Sequence, residues 1–209
     1  MEIGVEFGTS FLKIKAKRKI AIDPEFKVPV AKKVLDLPSI FKTKYFEMTS
    51  DNFFENYSNF FYDKKIDVAF IDGLHTYKQT FRDIENCLKY LSDNGVIVVH
   101  DCNPECEASA SPDREVARKS PEASRKWNGD TWKAIAHFRS TRNDLNIFTL
   151  NCDWGLGIII KGRPESILKY SLDELRELSY KDLEYNRKEI LNLKNIDYFE
   201  EFLNTLKEI

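Results

Sequence analysis

Residues 67–101 read DVAFIDGLHTYKQTFRDIENCLKYLSDNGVIVVHD. Two runs in it are apolar almost throughout, Asp67–Ile71 and Val96–Val99. Between them Phe81, Ile84, Cys87, Leu88 and Leu91 fall on one face of a helix spanning Tyr77–Leu91. Ser92-Asp93-Asn94-Gly95 reads as a turn that stops this helix. Strands without polar alternation are buried on both faces, so strand, helix and strand in this order predict a parallel sheet covered by helices on both sides.

The pattern continues in both directions. Upstream lie strand-like runs at Met1–Val5 and Lys19–Ile22 and a weaker one at Lys44–Met48. Downstream, residues 102–130 (CNPECEASASPDREVARKSPEASRKWNGD) break the rhythm with Ser, Pro, Glu and Ala. A connection of this length is expected to be a lid or a mobile loop. GDTWKAIAHFRS (129–140) reads as a helix with Asp130 as its N-cap or in its first turn. LNIFTLNCDWGLGIIIKG (145–162) reads as two strands joined by Asp153-Trp154-Gly155. The tail, 163–209, is charged and helical, and reads as one or two solvated amphipathic helices, packed on their own domain or forming a homodimer contact.

The 209 residues, 42% hydrophobic, suit one sizeable domain. A net charge of -2 argues against a nucleic-acid clamp. No apolar run approaches the roughly 18 residues of a membrane span, and the acidic, glycine-containing start does not resemble a secretory leader. The spacing of Cys87, Cys102, Cys106 and Cys152 is not a disulfide framework, so a reduced, cytoplasmic protein is expected.

The chemistry concentrates where strands end. Gly4 and Gly8 stand where the first strand is expected to turn into a helix, and glycine there lets a ligand approach the backbone. A dinucleotide turn needs G-x-G-x-x-G, whereas here Glu6 sits between the glycines and would repel a phosphate. A carboxylate suits a ligand with ammonium and hydroxyl donors, such as S-adenosylmethionine. Asp23, after the second strand, is placed to accept from a ribose diol, which would serve NAD equally.

EIGVEFGTSFLKIKAKRKIAIDP (2–24), TSDNFF (49–54), residues 67–101 and WNGDTWKAI (127–135) together resemble the class I S-adenosylmethionine-dependent methyltransferases, in the branch with an F-I-D-G-x-H-x-Y signature, over roughly residues 1–162. The resemblance implies a Rossmann-like, doubly wound α/β fold with a seven-stranded, mostly parallel sheet and an antiparallel last strand, followed by a C-terminal helical extension, 163–209. It implies that Glu2, Gly4 and Gly8 shape the methionine-end pocket, with Glu6 and Ser10 among the cofactor contacts. Asp23 would hold the ribose, Ser50 and Asp51 the adenine, and Asp72 and Gly73 would lie beside the sulfonium. His75 and Asp101 are the expected catalytic residues, with His100 in reserve. Relatives have residues before the first strand, so a start at Met1 is expected to weaken cofactor affinity before it abolishes the fold.

Each residue also has a plainer reading: Asp72 as a helix cap, His75 and His100 as structural hydrogen-bonders, Trp127 and Trp132 as packing. Asp72 and Asp101 resemble two magnesium ligands of catechol-type methyltransferases, but Cys102 stands where an asparagine normally follows, and a thiol is a poor magnesium ligand. Asn103 is a nearby substitute, and zinc on Cys102, Cys106 and His100 lacks a second Cys pair. The expected reaction is methyl transfer, most readily to an oxygen of a small molecule or glycan. A catalytically silent binding domain and a nicotinamide-dependent oxidoreductase are the alternatives.

Overall fold

The computed structural model describes residues 1–28, 43–124 and 126–207, so Arg125 of the expected lid and the last two residues of the tail lie outside the description. One sheet organises the chain. Its strands are β1 (Glu2–Ile3), β2 (Lys19–Asp23), β3 (Thr43–Glu47), β4 (Ile66–Ile71), β5 (Leu91–Val99), β6 (Leu145–Leu150), β7 (Leu156–Lys161) and β8 (Leu193–Lys194). They lie in the order β3-β2-β1-β4-β5-β7-β6-β8. Only β7 runs antiparallel to its neighbours, β5 and β6. The expected antiparallel strand is therefore present, and an eighth strand extends the expected seven: β8 comes from the tail and pairs parallel to β6 through Thr149 and Leu193.

The chain winds outward from β1 to β3, returns to the middle, and winds the other way from β4 to β7. The reversal falls between β1 and β4, where Glu2 pairs with Phe70 and Ile3 with Ile71. Open α/β sheets bind ligands beyond the carboxyl ends of their strands at this switch point. Here those ends carry Gly4, Asp23, Asp72 and His100-Asp101.

The first turn departs from the expected strand-to-helix transition. β1 has two residues, and residues 6–13 form a series of turns instead of a helix. Gly4, Glu6 and Gly8 have φ of 81°, 42° and 70°. Three positive φ values within five residues do not fit a right-handed helix. Gly4 has no alternative: a Cβ there would sit 1.9 Å from the Asp72 carbonyl oxygen.

α1 (Ser50–Tyr57) starts on Thr49, whose hydroxyl accepts from Asn52 N, and it buries Phe53 and Phe54. α2 (Tyr77–Tyr90) buries Ile84 and Cys87, with Phe81 and Leu88 packed beside them. It ends one residue earlier than the apolar spacing suggests. Leu91 is already extended, and Ser92–Gly95 lies inside β5, where the register slips from Ile66↔Leu91 to Val68↔Val96. α4 (Trp132–Thr141) buries Trp132, Ile135 and Phe138 against the same core. Asp130 does not cap it. Its carboxylate instead accepts from Tyr77 N at 2.6 Å and so caps α2.

Residues 102–130 fold into a cap with a short helix, α3 (Arg114–Lys119), and a small core of Cys106, Ala117 and Ala123. The tail forms α5 (Leu172–Glu177), α6 (Tyr180–Ile190), β8 and α7 (Tyr198–Lys207). Leu168, Leu175, Leu183, Ile190 and Leu191 join the main core with Ile97, Ile135 and Phe138. The tail helices expected to be solvated therefore bury one face each.

Candidate active site

A cleft of about 560 Å³ opens at the switch point. Of the residues expected to hold a cofactor, Gly4, Glu6, Ser10, Asp23, Ser50, Asp72 and Gly73 line it, together with His75. Gly8 turns away, onto Val28 and Leu12. Asp51 lies outside the lining and pairs with Arg82 at 3.1 Å.

Glu2 stands one step behind the wall. It is buried, and its Oε1 accepts from Ser10 at 2.7 Å, while Oε2 has no partner. Burial pushes its carboxyl up to about 7, although the Ser10 hydrogen bond pulls the other way. A buried, half-satisfied carboxylate costs free energy unless a donor reaches it. Glu6, by contrast, sits at the rim and pairs with Lys27 at 2.9 Å. The repulsion of phosphate expected of Glu6 is therefore partly cancelled, and it falls to Asp72 and Asp23. Asp23 organises its own loop, accepting from Glu6 N and Glu25 N, each at 2.8 Å. Those two bonds leave half of its lone pairs for a diol.

The expected catalytic residues form one cluster. The Nδ1–H of His75 donates to the Trp127 carbonyl at 2.7 Å, with Asp101 Oδ2 at 3.3 Å. That contact fixes the tautomer and leaves Nε2 facing Asp72 Oδ1 at 3.3 Å. Burial disfavours the imidazolium, but Asp72 and Asp101 outweigh it and raise the His75 pKa above its usual range. His100 meets three carboxylates: Asp101 at 3.1 Å, and Asp72 and Asp153 at 3.3 Å each. Against the effect of burial, Asp101 and Asp72 push it up to about 11. At neutral pH His100 is thus a cation and a donor. Asp101 has φ of 61° and is held by Asn128, whose Nδ2 donates to Oδ1 at 2.6 Å.

The cap is fastened onto this cluster. Trp127 stacks on His75 with ring centroids 5.0 Å apart, and its indole N–H donates to Ser111 O at 2.7 Å. Gly129 crosses the His75 carbonyl so closely that a Cβ would lie 1.6 Å from that oxygen. Sequence reading placed Trp127 in packing. It packs, but on the His75 imidazole.

Several site residues gave no signal in the sequence. Asp83 lies on the inner face of α2, buried, accepting from Ser50 Oγ at 2.6 Å and Gln79 Nε2 at 3.0 Å. Burial lifts it to about 6. An Asp at a core position of a helical pattern is the trace it leaves in the sequence. Asn128 and Asp153 arrive from the cap and the β6–β7 hairpin, and only the fold brings them near.

Asp72, His75 and Asp101 present donor atoms within 4.8 Å of one another. The set fits magnesium poorly. Magnesium prefers oxygen ligands, and here the nearest donors include an imidazole, while the carboxylates already meet His75 and His100. The residues expected to complete the shell face elsewhere. Cys102 Sγ donates to Val99 O in the core, and Asn103 bonds Asn151 and Arg187. Cys106 sits in the core of the cap, so the thiol pair does not gather around His100.

Residues 1–102, which supply the cleft from β1 to Asp101, match a family model described as a methyltransferase domain. The match supports a class I S-adenosylmethionine-dependent methyltransferase family for residues 1–102. No curated protein matches the chain. The methyltransferase domain implies S-adenosylmethionine as methyl donor, and the cleft fits that group. The unpartnered Glu2 oxygen suits an ammonium, Asp23 a diol, and the Gly4 turn leaves room for a ligand against the backbone. Residues beyond 102 complete the same sheet and roof the cleft. Among the described residues no helix is long and apolar enough to cross a membrane.

Proposed function

We propose that the protein transfers a methyl group from S-adenosylmethionine to an oxygen of a small-molecule or glycan acceptor. The observation that carries this reading is the His75–Asp72–Asp101 cluster at the mouth of a carboxylate-lined cleft. A hydroxyl is a poor nucleophile until it loses its proton, and a positioned imidazole supplies that step. When bound, the cofactor supplies an electrophilic methyl. Trp127 O fixes the His75 tautomer, Nε2 takes the hydroxyl proton, and Asp72 stabilises the resulting imidazolium. The cap carrying Trp127 holds the acceptor in line and excludes water. We assign no step to magnesium, so turnover should withstand EDTA.

Support for a polyhydroxylated acceptor comes from the far side of the cluster. Trp154 is 38% exposed beside His100, with Lys126 Nζ 5.2 Å from its ring centroid and Asp153 paired with His100 at 3.3 Å. A half-exposed indole with a cation and a carboxylate close by suits a sugar-like ligand. The missing G-x-G-x-x-G and the buried Glu2 argue against a nicotinamide dinucleotide. The test is incubation with methyl-labelled cofactor and a panel of glycans and hydroxylated metabolites, alongside calorimetry with S-adenosylhomocysteine. Label transfer that His75→Gln abolishes supports the reading. Absence of cofactor binding at millimolar concentration ends it.

A further inference from the structure

Four carboxylates line the cleft: Glu6, Asp23, Asp72 and Asp83. Arg114 is the one Lys or Arg among the described residues of that lining. The ligand assigned above carries a single anionic group, the α-carboxylate of its methionyl end. Placed among four carboxylates, that group would be repelled unless a cation met it. We propose that Arg114 reads this carboxylate, so that the cofactor bridges the cap and the sheet. The proposal rests on the S-adenosylmethionine reading of the cleft.

The surroundings of Arg114 leave its guanidinium available. It lies 5.7 Å from the Trp127 ring, which in turn stacks on His75. This places the charge on the cap side of the cleft, which the β1 turn at Gly4–Ser10 also lines. Its acidic neighbours are occupied: Asp113 accepts from Glu115 N, and Glu115 pairs with Arg118 at 3.4 Å. A planar guanidinium matches a carboxylate with two parallel hydrogen bonds, and stacking on an indole sets its plane without using its N–H donors. On the opposite wall, Ser10 leads to the unpartnered Glu2 oxygen. Glu2 and Arg114 together would meet the two ends of an amino-acid zwitterion, the ammonium from the sheet and the carboxylate from the cap.

The experiment compares two ligands by calorimetry. One is S-adenosylhomocysteine; the other is its decarboxylated analogue, which keeps the nucleoside, thioether and amine. In wild type the first should bind more tightly. Arg114→Gln should weaken S-adenosylhomocysteine by about tenfold or more and change the analogue by less than about twofold. Arg114→Lys, which keeps the charge but not the fork, should fall between. Equal affinity of wild type and Arg114→Gln for S-adenosylhomocysteine overturns the assignment and leaves the cofactor reading intact. Equal weakening of both ligands overturns it as well. Failure of wild type to bind either ligand instead removes the cofactor reading itself.

Discussion

Glu2 holds a proton that water would take from it. Its carboxyl sits at about 7 in the folded chain against an ordinary 4.5, because burial disfavours the charge. The folded state therefore binds more protons than the unfolded state between those values. Its contribution to stability is full below about 4.5 and is lost as pH rises through about 7. Glu2→Gln should flatten that slope and raise stability at pH 8 by about 1–3 kcal/mol, as chemical denaturation would show. The same substitution should weaken S-adenosylhomocysteine binding by about tenfold, since the amide cannot pair with an ammonium. A stabilised variant with undiminished affinity would remove Glu2 from the site. His75 gives the second residue-scale prediction. Burial lowers its pKa, but Asp72 and Asp101 outweigh that and raise it, so the imidazolium, which cannot act as base, persists to higher pH than in an ordinary histidine. The rate should climb with pH through an apparent pKa above 6.5. Asp101→Asn should bring that value down, and a profile flat from pH 6 to 9 would exclude His75 as the base.

Elements show where local rules yield to tertiary ones. The apolar runs of β4 and β5 and the face of α2 are legible in residues 67–99, because a central strand leaves a short apolar run and a packed helix a 3.6-residue period in the sequence. Asp130 was not legible. Its place before an apolar helix suggests a cap for α4, yet its carboxylate caps α2 at Tyr77 N. No periodicity encodes a bond between residues 53 apart. Asp130→Ala should cost about 1 kcal/mol, in the range for a lost cap, and should also loosen the cap from His75. A melting curve and a tryptophan fluorescence change at Trp127 would show the two effects. The turn at Glu6 was misread for a related reason: glycine spacing signals positive φ but not how many residues share it. β4 also has two unlike faces. Ala69 and Ile71 are buried, while Val68 is 53% exposed in the middle of the sheet. Val68→Thr should change stability by less than about 0.5 kcal/mol, whereas Ile71→Ala should cost about 2–4 kcal/mol.

At the scale of the whole molecule, the tail decides whether residues 1–162 can stand alone. The sequence reads the charged stretch after 162 as a helical extension, packed on its own domain or forming a homodimer contact. Six buried aliphatic side chains from it, Leu168, Leu175, Leu178, Leu183, Ile190 and Leu191, lie in the main core. At about 2 kcal/mol each, their loss approaches the whole net stability of a domain this size, about 5–15 kcal/mol. A buried cation ties the same segment down. Arg139 of α4 donates to the Glu189 and Ile190 carbonyls at the end of α6 and, at 2.7 Å, to Ser166 Oγ. From α6, Arg187 donates to the Pro104 carbonyl at 2.7 Å and to Asn103, just past Asp101. The tail thus supports both the core and the loop that carries Asp101. A chain cut at 162 should be unfolded or insoluble, with no cooperative thermal transition. Arg139→Ala should cost about 3 kcal/mol or more, because it leaves helix-end carbonyls without donors in a buried site. Arg187→Ala should keep most of the stability, its side chain being only partly buried, yet lower the rate by freeing Asn103 and Pro104 beside Asp101. If residues 1–162 melted cooperatively and bound S-adenosylhomocysteine like the full chain, the tail would be an appendage after all, and its packing would have no part in holding the site.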